Sequence, residues 1–282
     1  MSEFILELYS EEIPPNLQIN ARNELQEKIK NLLLEENLKF NSLHSFSSPT
    51  RLTILLKGFS EKIKIPSREV RGPKVGVMDD IINNFLKAHD SNRKYLLEKK
   101  SDKGNFYFIK TKAKEVLTSE ILKKAVVNSI ASIKWKKSMR WADTELLWGR
   151  PLRSILAIYN KKVLFFTYGH LKSNDFTYIE KDLEIKTKKI TNFKDYQKLL
   201  LSNNIIIDQK EREKKITKKF ESLYKLKNFK NLYDLKLLKE VTNIVEDPHV
   251  LLINFDKKYL DLPKEIIIST LQNHQRYFPI FD

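Results

Sequence analysis

Between Lys134 and Arg153, six cations (Lys134, Lys136, Lys137, Arg140, Arg150 and Arg153) alternate with Trp135, Trp141 and Trp148. Cations neutralise phosphates and flat rings stack on exposed bases, so this mixture suits RNA. Arginine adds bidentate phosphate geometry. The same residues also fit a structural use, in which the tryptophans fill core and Arg140 pairs with Asp143 or Glu145 to pin a loop. A second cluster, His274, Gln275 and Arg276, falls at an expected helix-to-strand junction, with Tyr277 and Phe278 as packing residues. Its donors could hold a phosphate or a nucleotide edge, or join helix to strand in a buried network. The candidate nucleic-acid-binding residues are therefore Arg51, Lys137, Arg140, Arg150, Arg153, His274, Gln275 and Arg276. Arg51 has a competing role. Glu7 is a carboxylate inside the apolar run 4–10, a buried carboxylate needs a counter-charge, and Arg51 on an adjacent strand is the expected partner.

Other chemistries find little support. The chain has no cysteine, which excludes disulfides, Cys-ligated zinc, iron–sulfur clusters and thiol catalysis. His89-Asp90 reads as an exposed helix end, because His44, His170, His249 and His274 do not stand at metal-ligand spacing. There is no Walker-type loop and no G-x-G-x-x-G. No catalytic residue and no metal site are assigned, and no cofactor is expected to be bound by this chain. The net charge is +16 and the pI about 9.6, which favours a polyanionic partner. A lysine-, isoleucine- and asparagine-rich composition offers the plainer alternative of charge without a partner. The N-terminus lacks the pattern of a signal peptide. No apolar run approaches the ~20 residues that span a bilayer. A soluble, cytoplasmic protein with no membrane contact is expected.

The elements that must carry these residues follow from periodicity. Hydrophobic residues make up 41% of the 282, enough for two compact domains or one large one. Residues 4–10 read as a strand that runs into the Glu11-Glu12 pair and the break at Pro14-Pro15. Ala21, Leu25, Ile29, Leu32 and Leu33 share one face of a helix over 15–36. Strands are predicted over 42–48 and 51–59, so the chain opens as strand, helix, strand, strand. A helix over 79–89, a strand over 105–112 and a helix from an N-cap at Thr118 follow, the last burying Ile121, Leu122, Ala125, Val126, Ile130 and Ile133. Runs 152–159 and 163–168 read as a hairpin around Asn160-Lys161-Lys162. Helices are expected over 193–202, 208–225 and 263–274, with strands over 242–246, 250–255 and 277–281. The basic helix over 210–225 reads as a solvated face or as an RNA-facing ridge. The fold class is α+β: a region over 1–171 with the strand-helix-strand-strand opening, then a second α+β region over 172–282. The lysine-rich stretch 172–189 is the candidate linker.

Five elements resemble, in order, the β subunit of bacterial glycyl-tRNA synthetase. They are Glu11-Glu12-Ile13-Pro14-Pro15 after its apolar strand, Ser48-Pro49-Thr50-Arg51-Leu52, Arg71-Gly72-Pro73, Lys137-Ser138-Met139-Arg140-Trp141 with Arg150-Pro151, and Glu246-Asp247-Pro248 with His274-Gln275-Arg276-Tyr277-Phe278. Where that family has Gly-His-Arg-Phe, this chain reads Thr177-Tyr178-Ile179-Glu180-Lys181, so no role is carried to that segment. The resemblance implies a subunit that binds and positions tRNA(Gly) and docks a catalytic α subunit, in a heterotetramer of two α and two β chains. Glycine activation, with ATP and Mg2+, would lie on the α subunit. Neither class of independent synthetase site is complete here. Lys137-Ser138-Met139 and Gly169-His170 echo class I elements without the rest of either, and no Gly-rich class II strand is found. The family's β subunit is far longer, so the chain reads as its N-terminal portion. A stand-alone RNA-binding module and a decayed fragment are the alternatives.

Overall fold

The computed structural model describes residues 2–65, 67–101, 104–111, 113–141, 145–181, 184–227 and 234–280. In chain order the elements are β1 (Glu3–Ser10), α1 (Pro15–Glu35), β2 (Ser42–Ser48), β3 (Arg51–Lys57), β4 (Lys62–Ile65), β5 (Glu69–Lys74), α2 (Asp79–Ala88), β6 (Leu96–Ser101), β7 (Gly104–Lys110), β8 (Lys114–Leu117), α3 (Thr118–Ser132), β9 (Met139–Arg140), β10 (Leu147–Trp148), β11 (Leu152–Tyr159), β12 (Lys162–Val163), β13 (Thr167–Tyr168), β14 (Leu171–Asn174), β15 (Phe176–Lys181), β16 (Glu184–Lys189), α4 (Phe193–Ser202), α5 (Gln209–Lys227), α6 (Leu235–Ile244) and α7 (Lys264–Ser269). The fold is α+β, as the periodicity predicts.

Two compact units divide the chain: residues 1–59 together with 122–282, and residues 60–121. The expected boundary at 171/172 is not a division, because β14 begins there and pairs in parallel with β11 of the main sheet. The larger unit is built on a seven-stranded sheet ordered β13-β14-β11-β1-β3-β2, with β12 beside the end of β11. Its middle strand, β1, is antiparallel to both neighbours. Alternation on β1 sends Phe4, Leu6 and Leu8 to one face and Ile5, Glu7 and Tyr9 to the other. Ile5 packs with Leu55, Leu156, Ile158 and the α4 residues Phe193, Tyr196 and Leu200. Leu25, Ile29 and Leu33 supply the buried stripe of α1, and the face predicted for α3 is buried in full. Thr118 is the first residue of α3, and its hydroxyl donates to the Ser60 carbonyl.

In the smaller unit, β7 lies between β5 and β6, antiparallel to both, and β4 pairs with β8. Ile82 and Leu86 of α2 pack on Ile109. Arg71-Gly72-Pro73 lies in β5, where pairing with β7 slips between Arg71 and Lys74. A Cβ at Gly72 would come within 2.5 Å of the Phe85 ring, so only glycine admits α2 so close.

Four expectations are corrected. The stretch 172–189 is not a linker: it forms β14 and the β15–β16 hairpin. Only alternate residues of β15, Thr177 and Ile179, are buried, and every described side chain of β16 is exposed, so the hairpin carries almost no hydrophobic signal. The run 163–168 splits, with Val163 pairing on β11 and Thr167–Tyr168 pairing on β14. The run 242–246 ends a helix, α6, whose N-cap Asp234 accepts from Lys236 and Leu237 amides. Its β-branched residues read as strand, but Leu237, Leu238 and Thr242 share one buried helical face. No strand occurs over 250–255 or 277–280 among the described residues.

Candidate nucleic-acid interface

Three of the five sequence elements are joined by backbone hydrogen bonds at one end of the main sheet. The Ser10 amide donates to Thr50 O at 2.9 Å, the Glu11 amide to Pro151 O at 3.0 Å, and the Ile13 amide to Pro49 O at 2.7 Å. Proline cannot donate, but its carbonyl accepts, so two proline corners clamp the Glu11-Glu12 turn. Beneath that turn lies a buried polar centre. Register places Tyr9 opposite Arg51 and Glu7 opposite Thr53. Arg51 Nε lies 3.2 Å from Glu7 Oε2, the ion pair expected from the sequence. Tyr196 donates to Glu7 Oε2 at 2.6 Å, and the Thr177 hydroxyl lies 2.7 and 2.9 Å from the two carboxylate oxygens. Burial pushes the Glu7 carboxyl up, opposed by Arg51, Tyr196 and Thr177. Burial and the adjacent Glu7 carboxylate push the Tyr196 hydroxyl well above the ordinary tyrosine range.

Arg51 also bonds Glu246 at 3.2 Å and the Tyr178 carbonyl, and it is 2% exposed. It is therefore not available to RNA in this structure: its charge is used inside. Arg153 is half-buried, with Nη1 2.8 Å from Glu180 Oε1 and 3.5 Å from Glu11 Oε1. The Tyr9 hydroxyl donates to Glu180 as well, and its ring stacks on Tyr178 at 5.1 Å. Arg150 donates to the Gly149 carbonyl and lines an open cavity of about 370 Å³ with Glu11, Glu12 and Pro14.

The segment before β11 behaves differently. Trp148 is fully buried and meets Trp135 edge-on at 4.8 Å, so this tryptophan is core. Lys134, Lys136, Lys137 and Arg140 are exposed, and among the described residues none of their side chains is in an ion pair. Arg140 does not pair with Glu145, and Asp143 lies outside the described residues. In the third cluster, His274 and Gln275 are exposed, whereas Arg276 bonds Glu240 at 2.8 Å. Phe278 packs on Phe220 at 4.8 Å, as expected, but Tyr277 is 47% exposed. The eight candidates thus divide. Arg51, Arg150 and Arg153 gather at the sheet end, Lys137 and Arg140 lie before it with no ion pair among the described residues, and Arg276 is tied to α6 through Glu240. Among the described residues no group of three His, Asp or Glu comes together as a metal site, and no helix is long and apolar enough to cross a membrane.

Sequence reasoning missed five contributors. Thr177, Tyr178 and Glu180 lie in the segment to which no role was carried, yet each bonds the polar centre or its rim. Tyr196 looks like one more apolar helix residue. Arg212 falls within the basic helix but is fully buried. Its guanidinium donates to the carbonyls of Thr242, Ile206, Ile207 and Ser47 at 2.6–3.2 Å, which staples α5 to α6 and to the end of β2. Burial lowers its pKa to about 10. No spacing rule distinguishes it from Lys214 or Lys218.

The family model for the glycyl-tRNA synthetase beta subunit matches residues 4–282. The chain belongs to the glycyl-tRNA synthetase beta subunit family. It is 37% identical over 282 residues to the glycine–tRNA ligase beta subunit of Rickettsia prowazekii (strain Madrid E), covering all of this chain and 42% of that protein. It is 36% identical over 283 residues to the corresponding subunit of Rickettsia akari (strain Hartford), again covering all of this chain and 42% of the relative. The chain spans about two fifths of the length of the curated relatives it matches.

Proposed function

We propose that this chain acts as part of a glycine–tRNA ligase beta subunit, binding and positioning tRNA(Gly) and docking an alpha subunit. The observation that carries the reading is the family match over residues 4–282. The alpha subunit joins glycine to tRNA with ATP and Mg2+, in an assembly of two alpha and two beta chains working in the cytoplasm. On this chain the phosphate contacts fall to Lys137 and Arg140, with Lys134 and Lys136 beside them. Their exposure, without ion-pair partners among the described residues, supports that assignment. Arg150, His274 and Gln275 have accessible donors and extend the contact. Arg51 serves to hold the sheet end in shape. The test is reconstitution with an alpha subunit. The alpha chain should co-purify with this one, and glycylation of tRNA(Gly) should require both. RNA binding with no alpha partner and no dependence of glycylation on this chain would favour a stand-alone RNA-binding module instead.

A further inference from the structure

Between the end of α3 and the short β9–β10 ribbon lies an open cavity of about 430 Å³, whose lining includes Ile133, Trp135, Ser138, Glu145, Leu147 and Tyr168. That volume is within the roughly 300–1,000 Å³ of small-ligand sites. Close backbone approach builds its walls. A Cβ at Gly149 would come within 2.4 Å of the Trp135 ring, and one at Gly169 (φ +58°) within 2.2 Å of Leu146, also in the wall. Glycine at 149 therefore lets the Trp135 ring lie against the backbone, with Trp148 against it edge-on. Both indole N–H groups are buried without an acceptor among the described residues, so packing holds Trp135 in place. Beside the cavity in sequence stand the exposed Lys134, Lys136, Lys137 and Arg140, and among the described residues Glu145 is the carboxylate of its lining.

We propose that this cavity receives one unstacked nucleobase of a single-stranded RNA segment and favours a base whose edge presents an exocyclic amino group to Glu145. A flat ring fits against Trp135 and Tyr168, which stack on any base. Flanking phosphates meet the lysines and Arg140. The Glu145 carboxylate accepts from an amino group such as cytosine N4 and repels the carbonyl that uracil carries at the same position. The inference rests on the RNA-binding reading above and adds which part of the RNA is held.

The test uses the full chain and three short single-stranded probes: oligo(C), oligo(U), and an abasic ribose-phosphate backbone of the same length. Binding is followed at fixed low salt by fluorescence anisotropy of labelled probes and by quenching of the protein's tryptophans. Oligo(C) should bind about tenfold tighter than the abasic probe and should quench tryptophan emission, with oligo(U) weaker than oligo(C). Ser138→Phe, which fills the cavity, should bring oligo(C) down to the abasic value. Glu145→Gln should bring oligo(U) up towards oligo(C). Both positions are exposed, so both variants should fold as the parent does. Equal affinity for oligo(C) and the abasic backbone would overturn the base pocket while leaving the phosphate contacts of the proposed function standing. Failure to bind any of the three probes would remove both.

Discussion

The sheet end around Arg51 and the stretch from Lys134 to Arg140 are both cations set among aromatic rings, and they are used in opposite ways. Arg51 lies 4.9 Å from the Tyr9 ring, with Glu7, Glu246 and a carbonyl around it. Nη1 donates to Thr50 Oγ1 as well, and the side chain is buried, so a phosphate could reach it only by displacing protein. Lys137 and Arg140 have no carboxylate within reach among the described residues, and their charge faces water. The difference is not in residue type or local composition. It lies in whether the fold brings acidic residues from distant segments to the cation. Net charge therefore overstates the surface available to a polyanion, and the useful quantity is the subset of cations that folding leaves unneutralised.

The largest effect should come from breaking the buried pair. Glu7→Gln leaves Arg51 buried beside a neutral amide, and loss of one partner of a buried ion pair costs about 3–5 kcal/mol. Urea unfolding should show the loss. Adding Arg51→Met to Glu7→Gln should recover part of it, since the pair rather than either charge alone is what the core tolerates. If Glu7→Gln melts like the parent, the centre is not the anchor of this sheet end.

Arg212→Met should rank next. It removes the staple and leaves buried carbonyls of Thr242 and Ser47 without donors, at about 1–3 kcal/mol per unsatisfied group. Hydrogen exchange should quicken in α6 more than in β1. Uniform loosening across the large unit would contradict a local staple. Arg153→Ala, by contrast, breaks a partly exposed pair with Glu180 and should cost only about 0–1 kcal/mol.

Asp247 should give the smallest effect, seen as a pH dependence. Burial acts to raise its carboxyl, but hydrogen bonds from Lys215 and His249 outweigh it, and the net shift is downward. A carboxyl held below its unfolded value contributes stability that is fully present above the ordinary carboxylate range. That contribution is lost as pH falls through the lowered value. Asp247→Asn should flatten the acid limb of a stability–pH curve and leave the neutral region nearly unchanged. A steeper acid limb in the variant would reverse the assigned sign.

Much of the frame was legible from periodicity. The opening strand, helix, strand, strand and the buried face of α3 follow from apolar spacing of 2 and 3.6, because burial on one face leaves that imprint. The Glu7–Arg51 pair was legible too, since a carboxylate in an apolar strand demands a partner and register supplies one. What escaped prediction is what long-range packing decides. The β15–β16 hairpin buries too few residues to show a pattern, and α6 overrides the strand propensity of Thr242 and Ile244 through its Asp234 cap and its contacts with α5. Arg212 and Lys218 look alike until the helix docks. The same limit split the candidate site: Arg51 and Lys137 carry equal charge in the sequence, and only the fold separates them.

The central claim is that the cations left free by folding, and not those neutralised at the sheet end, hold RNA phosphates. It is tested most directly by the salt dependence of tRNA(Gly) affinity in four proteins: the parent, Lys137→Ala, Arg140→Ala and Arg153→Ala. Removing Lys137 or Arg140 should lower the slope of log affinity against log salt by about 0.7–0.9 for each lost contact, with unfolding unchanged. Removing Arg153 should leave the slope where it is. A slope that falls with Arg153 and stands still with Lys137 and Arg140 would contradict the claim.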